Sequence, residues 1–156
     1  SCDAGCDGGL QPNAYHYIIS YGGIDTEASY TYTAEDGTCH ASTTNIGATI
    51  SNFTMVAKNE TEMAAYLVAH GPLAIAADAA EWQFYIGGVF DLPCGDSLDH
   101  GILIVGYGKE DSILDHKDYW WVKNSWGGSW GIDGYLKIER GDDKCGLANF
   151  VSSSIV

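Results

Sequence analysis

DHGILIVGYG, residues 99–108, sets a histidine at the mouth of an apolar run and closes on a tyrosine between two glycines. Ile102, Leu103, Ile104 and Val105 form a short continuous apolar stretch bounded by glycine, which reads as a buried β-strand. His100 then stands where a core strand begins, directly after Asp99. A histidine there is either packed and hydrogen-bonded or chemically active, and the rest of the chain has to decide which.

Working outward, the last half of the chain reads as sheet. Strands are expected near residues 73–77, 84–90, 100–107, 119–124, 134–139 and 150–155, separated by glycine pairs and Asp-rich turns. Residues 109–118 (KEDSILDHKD) read as an exposed loop. The first third reads as helix and loop. LQPNAYHYIISYGG (10–23) carries Pro12 in a first turn and ends on Gly22-Gly23. NETEMAAYLVAHGP (59–72) begins with Asn59 and Glu62 in capping-box spacing and closes on Gly71-Pro72. Residues 24–49 read as irregular with short strands, and 48–56 as a weakly alternating strand. This shift from helix to strand points to an α+β protein of two lobes, 1–52 and 53–156.

Composition narrows the function classes. The 156 residues carry 21 acidic and 7 basic side chains, a formal net charge of −14. Such a surface repels nucleic-acid phosphates, so no nucleic-acid partner is expected. No stretch approaches the length of a membrane span, so no membrane partner is expected either. The opening SCDAGCDGG lacks the basic and apolar regions of a signal peptide. Two sequons, at Asn52 (NFT) and Asn59 (NET), accompany five cysteines, Cys2, Cys6, Cys39, Cys94 and Cys145, in turn-rich settings. Together they point to the secretory route, to disulfides and to N-linked glycans on Asn52 and Asn59. An odd cysteine needs a partner outside the chain or remains a free thiol. Cys2 and Cys6 with His16 or His40 imitate a zinc site, but an oxidising route disfavours one, and neither metal nor cofactor is expected.

YWWVKNSWGGSWGIDGY (119–135) is the second informative stretch. Asn124 falls where a strand should end, followed by two tryptophans, Trp126 and Trp130, around a Gly-rich turn. As a plain hairpin, its tryptophans fill a core. Beside a strand-mouth histidine it gains another meaning, because an Asn amide holding one ring nitrogen orients an imidazole for proton transfer.

Taken with CDGG (6–9), PLAIAADA (72–79), FYIGGVF (84–90), CGDSLDHGILIVGYG (94–108), YWWVKNSWGGSWGIDGYLKIERG (119–141) and CGLANFV (145–151), these stretches resemble the papain family of cysteine endopeptidases, nearest its cathepsin L/F branch. The resemblance implies the papain-like two-lobe fold, with a partial helical left lobe and an antiparallel, β-barrel-like right lobe. It implies that His100 is the catalytic imidazole and Asn124 its orienter. Trp126 would shield their hydrogen bond from water, and Trp130 would line the leaving-group side. Gly8 and Gly9 would let an extended substrate pair alongside bare backbone. Asp99 would offer its carbonyl near the scissile bond. A specificity pocket would be walled by Leu10, Gln11, Ala76, Leu98, Gly101 and Phe150, an apolar set apart from Gln11.

The resemblance also implies something that the chain does not carry. The family's nucleophile sits in a C-G-S-C-W-like stretch ~130–150 residues before the histidine, which places it roughly 30–50 residues before Ser1. None of the five cysteines has that context. By the same resemblance Cys2 pairs with Cys39, Cys94 with Cys145, and Cys6 with a cysteine in the preceding segment. The complete protein would be a cysteine endopeptidase, and this chain alone inactive. An inactive homologue or fragment that binds peptides without cleaving them is the alternative. Expected partners are a peptide or protein substrate, the preceding segment itself and inhibitors of the cystatin type. The expected location is lysosomal, vacuolar or secreted.

Overall fold

A computed structural model describes residues 3–111 and 116–156. The chain divides into two compact units, residues 1–54 with 154–156, and residues 55–153. The expected boundary at 52/53 made a single cut, whereas here the last three residues belong with the first unit.

In the first unit, helix α1 spans Gln11–Tyr21. Leu10 enters it in extended conformation, Pro12 occupies the first turn, and Gly22 closes it at φ 94°, where a side chain would be strained. No residue of α1 is buried. Its aromatic side chains instead associate on the surface, Tyr17 with Tyr21 at 5.4 Å and Tyr15 with Phe53 at 5.2 Å between ring centroids. Strands β1 (Ile24–Asp25) and β2 (Ile46–Ala48) form a small antiparallel pair, and β3 covers Asn52–Met55. The loop before α1 is held by Asp3, whose Oδ1 accepts from the Leu10 N–H at 3.0 Å and the Asn13 Nδ2–H at 2.7 Å. Those donors, Asn13 first, hold the Asp3 carboxyl below the usual carboxylate range.

The second unit holds the main core. Helix α2 spans Glu60–His70, and Asn59 Oδ1 caps it by accepting from the Thr61 and Glu62 N–H groups, both at 3.0 Å. Its buried Met63 and Leu67 join a core built from strands β4 (Leu73–Ala77), β5 (Val89–Phe90), β6 (His100–Asp111), β7 (His116–Lys123), β8 (Tyr135–Glu139) and β9 (Val151–Ile155). Within the unit the strand order is β9-β4-β6-β7-β8-β5, antiparallel except for the β5/β8 pair. Alternation selects the faces: Leu73, Ile75 and Ala77 of β4, Trp120 and Val122 of β7, and Leu136 and Ile138 of β8 are all buried. The fold is α+β, but the sheet is open rather than barrel-like. β5, at one edge, is a two-residue strand paired through β8.

Two expectations about elements need correction. Residues 84–90 are not one strand: Trp82–Phe84 make a 3₁₀ turn, and only Val89–Phe90 pair, with β8. Gly87 and Gly88 sit at φ 148° and 75°, which breaks the run, and the Tyr85 hydroxyl donates to the Gly88 carbonyl at 2.6 Å. Nor are the described residues 109–111 and 116–118 a loop. β6 and β7 continue through Lys109↔Asp118, Glu110↔Lys117 and Asp111↔His116. Opposite charges face each other across the ladder, which favours pairing where apolar alternation has stopped. Lys117 also pairs with Asp91, holding that carboxyl below its usual range, and Lys137 pairs with Glu110.

One polar side chain ties α2 to the segment after β8. The Glu60 carboxylate accepts from Trp120 Nε1–H at 2.7 Å and from the Gly141 and Asp143 N–H groups at 2.9 and 2.6 Å. Replacing it leaves a buried indole N–H without its acceptor. Glu60→Ala is expected to cost about 2–3 kcal/mol in urea unfolding, with a smaller loss for Glu60→Gln, whose carbonyl still accepts.

Candidate active site

His100 opens β6, opposite Ala77 of β4, so the rigid centre of the sheet carries its backbone. Asn124 follows the last residue of β7, and its N–H donates to the Gly134 carbonyl at 3.0 Å. Adjacent strands thus bring the two residues together across a sequence gap of 24. His100 Nε2 lies 2.8 Å from Asn124 Oδ1.

The protonation of that nitrogen follows from a third group. Asn124 Oδ1 also accepts from the Ser125 N–H at 2.8 Å. A flipped amide would point its NH₂ at that N–H, so the oxygen must face both. An amide oxygen only accepts, and His100 Nε2 therefore carries the proton. Nδ1 is the nitrogen left to exchange a proton with a reacting group. Asn124 is 9% exposed, and its Nδ2 is buried without a hydrogen-bond partner among the described residues.

Aromatic rings surround the pair. Trp126 approaches His100 at 5.1 Å between centroids with a 32° tilt, and Trp130 meets Trp126 at 5.0 Å nearly edge-on. Trp126 remains 39% exposed, so its ring borders solvent. Trp82, a residue that the sequence reading passed over, also reaches the imidazole, at 6.3 Å and 81°. It lies just before the strand expected at 84–90, and no motif in the sequence marks it.

The expected pocket residues separate by unit. In the second unit Ala76 lies opposite Gly101, and its N–H donates to the Phe150 carbonyl at 3.1 Å. Leu98 is 38% exposed and lies against Gly146, where an added Cβ would stand 3.1 Å from Leu98 Cδ2. The Asp99 N–H donates to the Ala77 carbonyl, and its Oδ1 accepts from the Ala79 N–H. In the first unit Gly8 has φ 103° and open space where a Cβ would be, followed by Gly9, Leu10 and Gln11 at the start of α1. Gly9 has a local need as well, since a Cβ there would meet the Asp3 side chain at 2.4 Å.

Cys94 and Cys145 are joined by a disulfide. Cys6 and Cys39 are exposed thiols, and Cys2, the expected partner of Cys39, lies outside the described residues. Cys6 is no substitute nucleophile. Its hydrogen bond to Asp36, aided by that residue's charge, pushes the thiol pKa up, away from the thiolate that attacks. No group of side chains suited to hold a metal ion occurs among the described residues.

An imidazole with a fixed tautomer, set at a strand end beside a partly exposed indole, is able to pass a proton to or from a reacting group. The papain family cysteine protease model matches residues 1–155, and the chain belongs to that family. It is 65% identical over 159 residues to cysteine proteinase 1 of Dictyostelium discoideum, with 100% of this chain and 46% of that relative covered. It is 44% identical to cathepsin L1 of Drosophila melanogaster, over 97% of this chain and 42% of that one. Among solved structures, digestive procathepsin L2 proteinase from Tenebrio molitor larval midgut superposes with a TM-score of 0.90 at 38% identity, covering 99% of this chain and 49% of that chain. Bromelain protease of Ananas comosus, in complex with the E64 inhibitor, gives a TM-score of 0.88 at 38% identity, covering 99% and 74%. The chain spans less than half the length of these two curated relatives.

The Cys6 geometry gives a direct test on the 156-residue chain. Alkylation of Cys6 near pH 8, mapped by mass spectrometry, should be slower than that of an unperturbed cysteine. Asp36→Asn should accelerate it, by about tenfold for each unit that the thiol pKa falls. Equal rates in both proteins would remove Asp36 as the cause.

Proposed function

We propose that the complete protein is a cysteine endopeptidase and that this chain supplies its acid/base half. The observation that carries the reading is Asn124 Oδ1, fixed by the Ser125 N–H and bonded to His100 Nε2. The nucleophilic cysteine then belongs to the segment preceding residue 1. Its thiolate attacks the peptide carbonyl while His100, as imidazolium, stabilises it and then donates the Nδ1 proton to the leaving amine. Water, giving its proton back to the same nitrogen, hydrolyses the resulting thioester. Asn124 keeps the ring aimed through both half-reactions, Trp126 limits water at the Nε2 bond, and Trp130 lines the leaving-group side.

Substrate recognition falls to backbone and apolar surface. Gly8, Gly9 and the Asp99 carbonyl are assigned to peptide main chain. Ala76, Leu98, Gly101 and Phe150, with Leu10 and Gln11, are assigned to the specificity pocket. Nothing acidic stands among them, so a buried guanidinium would find no partner there. A Cys2–Cys39 bridge, a bridge from Cys6 to the preceding segment, and residence in a lysosome-like or secreted compartment complete the reading, with cystatin-type inhibitors as partners. Glycans on Asn52 and Asn59 fit it too. Attachment at Asn59 uses Nδ2 and leaves Oδ1 on the α2 cap.

Three measurements test this. A thiol-reactive peptidyl epoxide should label one cysteine upstream of residue 1 in the complete protein and none of the five here. Labelling nowhere upstream would favour a peptide-binding homologue without activity. The complete protein should cleave dipeptidyl substrates with Leu at the second position at least about tenfold faster than those with Arg, the equivalent of 1.4 kcal/mol. Comparable rates would refute the apolar pocket. Asn124→Ala should lower kcat about 10–100-fold with a small change in KM, because it frees the ring without touching substrate.

A further inference from the structure

Trp82 is fully buried and makes four contacts that converge on the site. Its indole Nε1–H donates to Cys145 Sγ of the Cys94–Cys145 bridge at 3.4 Å. Its carbonyl accepts from Trp130 Nε1–H at 3.2 Å and from the Tyr85 N–H at 3.0 Å. Its ring meets the His100 imidazole at 6.3 Å and 81°. Trp130 leads on to Trp126, and Trp126 back to His100, so the contacts close into a ring around the imidazole.

One hydrogen bond fixes one atom. The bond from Nε2 to Asn124 leaves the imidazole plane able to swing about the line joining donor to acceptor, and such a swing would carry Nδ1 off its target. Contacts to the ring itself have to remove that freedom, and among the described residues the indoles of Trp126 and Trp82 stand against it. Trp126 is partly exposed, whereas Trp82 is anchored on every side. A buried indole N–H must find an acceptor, and here that acceptor is a disulfide sulfur. Filling the space alone would not require an N–H or that partner.

We propose that Trp82 is a positioning residue for His100, one that transmits the placement of the Cys94–Cys145 bridge to the imidazole plane. In this arrangement the bridge supports the site as well as the fold. A complete enzyme that keeps its nucleophile reduced would need this disulfide intact. As far as it concerns turnover, the inference rests on the peptidase reading above.

The test compares Trp82→Phe, which keeps a ring without the N–H, and Trp82→Leu, which removes the ring, in the complete protein. Trp82→Leu should lower kcat about tenfold with KM changed less than about twofold, and Trp82→Phe about threefold. Both should shift the pH profile of kcat/KM and broaden the nitrogen-bound proton signal of His100 Nε2 in NMR spectra. Leu136→Ala, in the same core without contact to His100, serves as the stability control. It should lower Tm while leaving that signal and profile unchanged. Replacing both Cys94 and Cys145 by Ala should reproduce the Trp82→Phe signature, and combining the changes should add nothing further. The proposal falls if Trp82→Leu changes Tm but not kcat or the His100 signal, or if bridge removal and Trp82→Phe are additive. An inactive wild-type protein would instead sink the peptidase reading, and the NMR comparison would still decide the role of Trp82.

Discussion

Oδ1 of Asn124 is the atom on which the site depends. It accepts one hydrogen bond from a backbone N–H that cannot move and another from a side chain that otherwise could. The backbone donor removes the ambiguity of the amide, and the amide removes the ambiguity of the imidazole. Everything beneath this bond keeps the two strand ends at a fixed separation. β6 and β7 pair over most of their length, with a register irregularity between Ile104 and Gly106. Because side chains alternate, a one-residue slip would expose Trp120 and Val122 and move Asn124 away from His100. Burial of those apolar residues therefore also fixes the geometry of the polar pair. The energetic cost of a wrong register falls on the core, which makes the site robust without large energies of its own.

The second unit was legible where one physical signal dominated. Strand β4 coincides with residues 73–77 as read from PLAIAA, because its alternation and the proline before it agree. Helix α2 was legible from the Asn59 cap and the Gly71-Pro72 stop. Misreading occurred where two signals competed. In FYIGGVF the aromatic and β-branched residues argue for a strand, but the glycine pair adopts positive φ and Tyr85 bends back onto Gly88. In KEDSILDHKD polarity argues for a loop, yet the information lies in pairing: Lys109 finds Asp118 and Glu110 finds Lys117 across a ladder that only the fold reveals. His100 and Asn124 drew notice by the strand ends they occupy, and the family resemblance implied their roles. The third indole did not, since its contact with His100 crosses three elements and leaves no spacing in the sequence.

The first unit shows the opposite balance. α1 has well-formed ends but buries none of its residues, and an 11-residue helix is marginal in water without tertiary support. Leu10, Tyr17 and Ile24 are about half exposed. Local rules therefore explain where α1 starts and stops, while burial among the described residues does little to hold it. Polar anchors do part of that work here. Asp3 holds the Leu10 backbone and Asn13, and Asp36 holds the Cys6 backbone, so the glycine turn at 8–9 is shaped by carboxylates rather than by a core.

Charge sets the pH range over which these anchors hold. Among the described residues at least five of the seven cationic side chains pair with carboxylates, around β6, β7 and β8. The remaining acidic excess repels itself at neutral pH. Asp3 and Asp91 have folded pKa values below the unfolded value, so their contribution is fully present above the unfolded pKa. It is lost only as pH falls through the lower folded pKa.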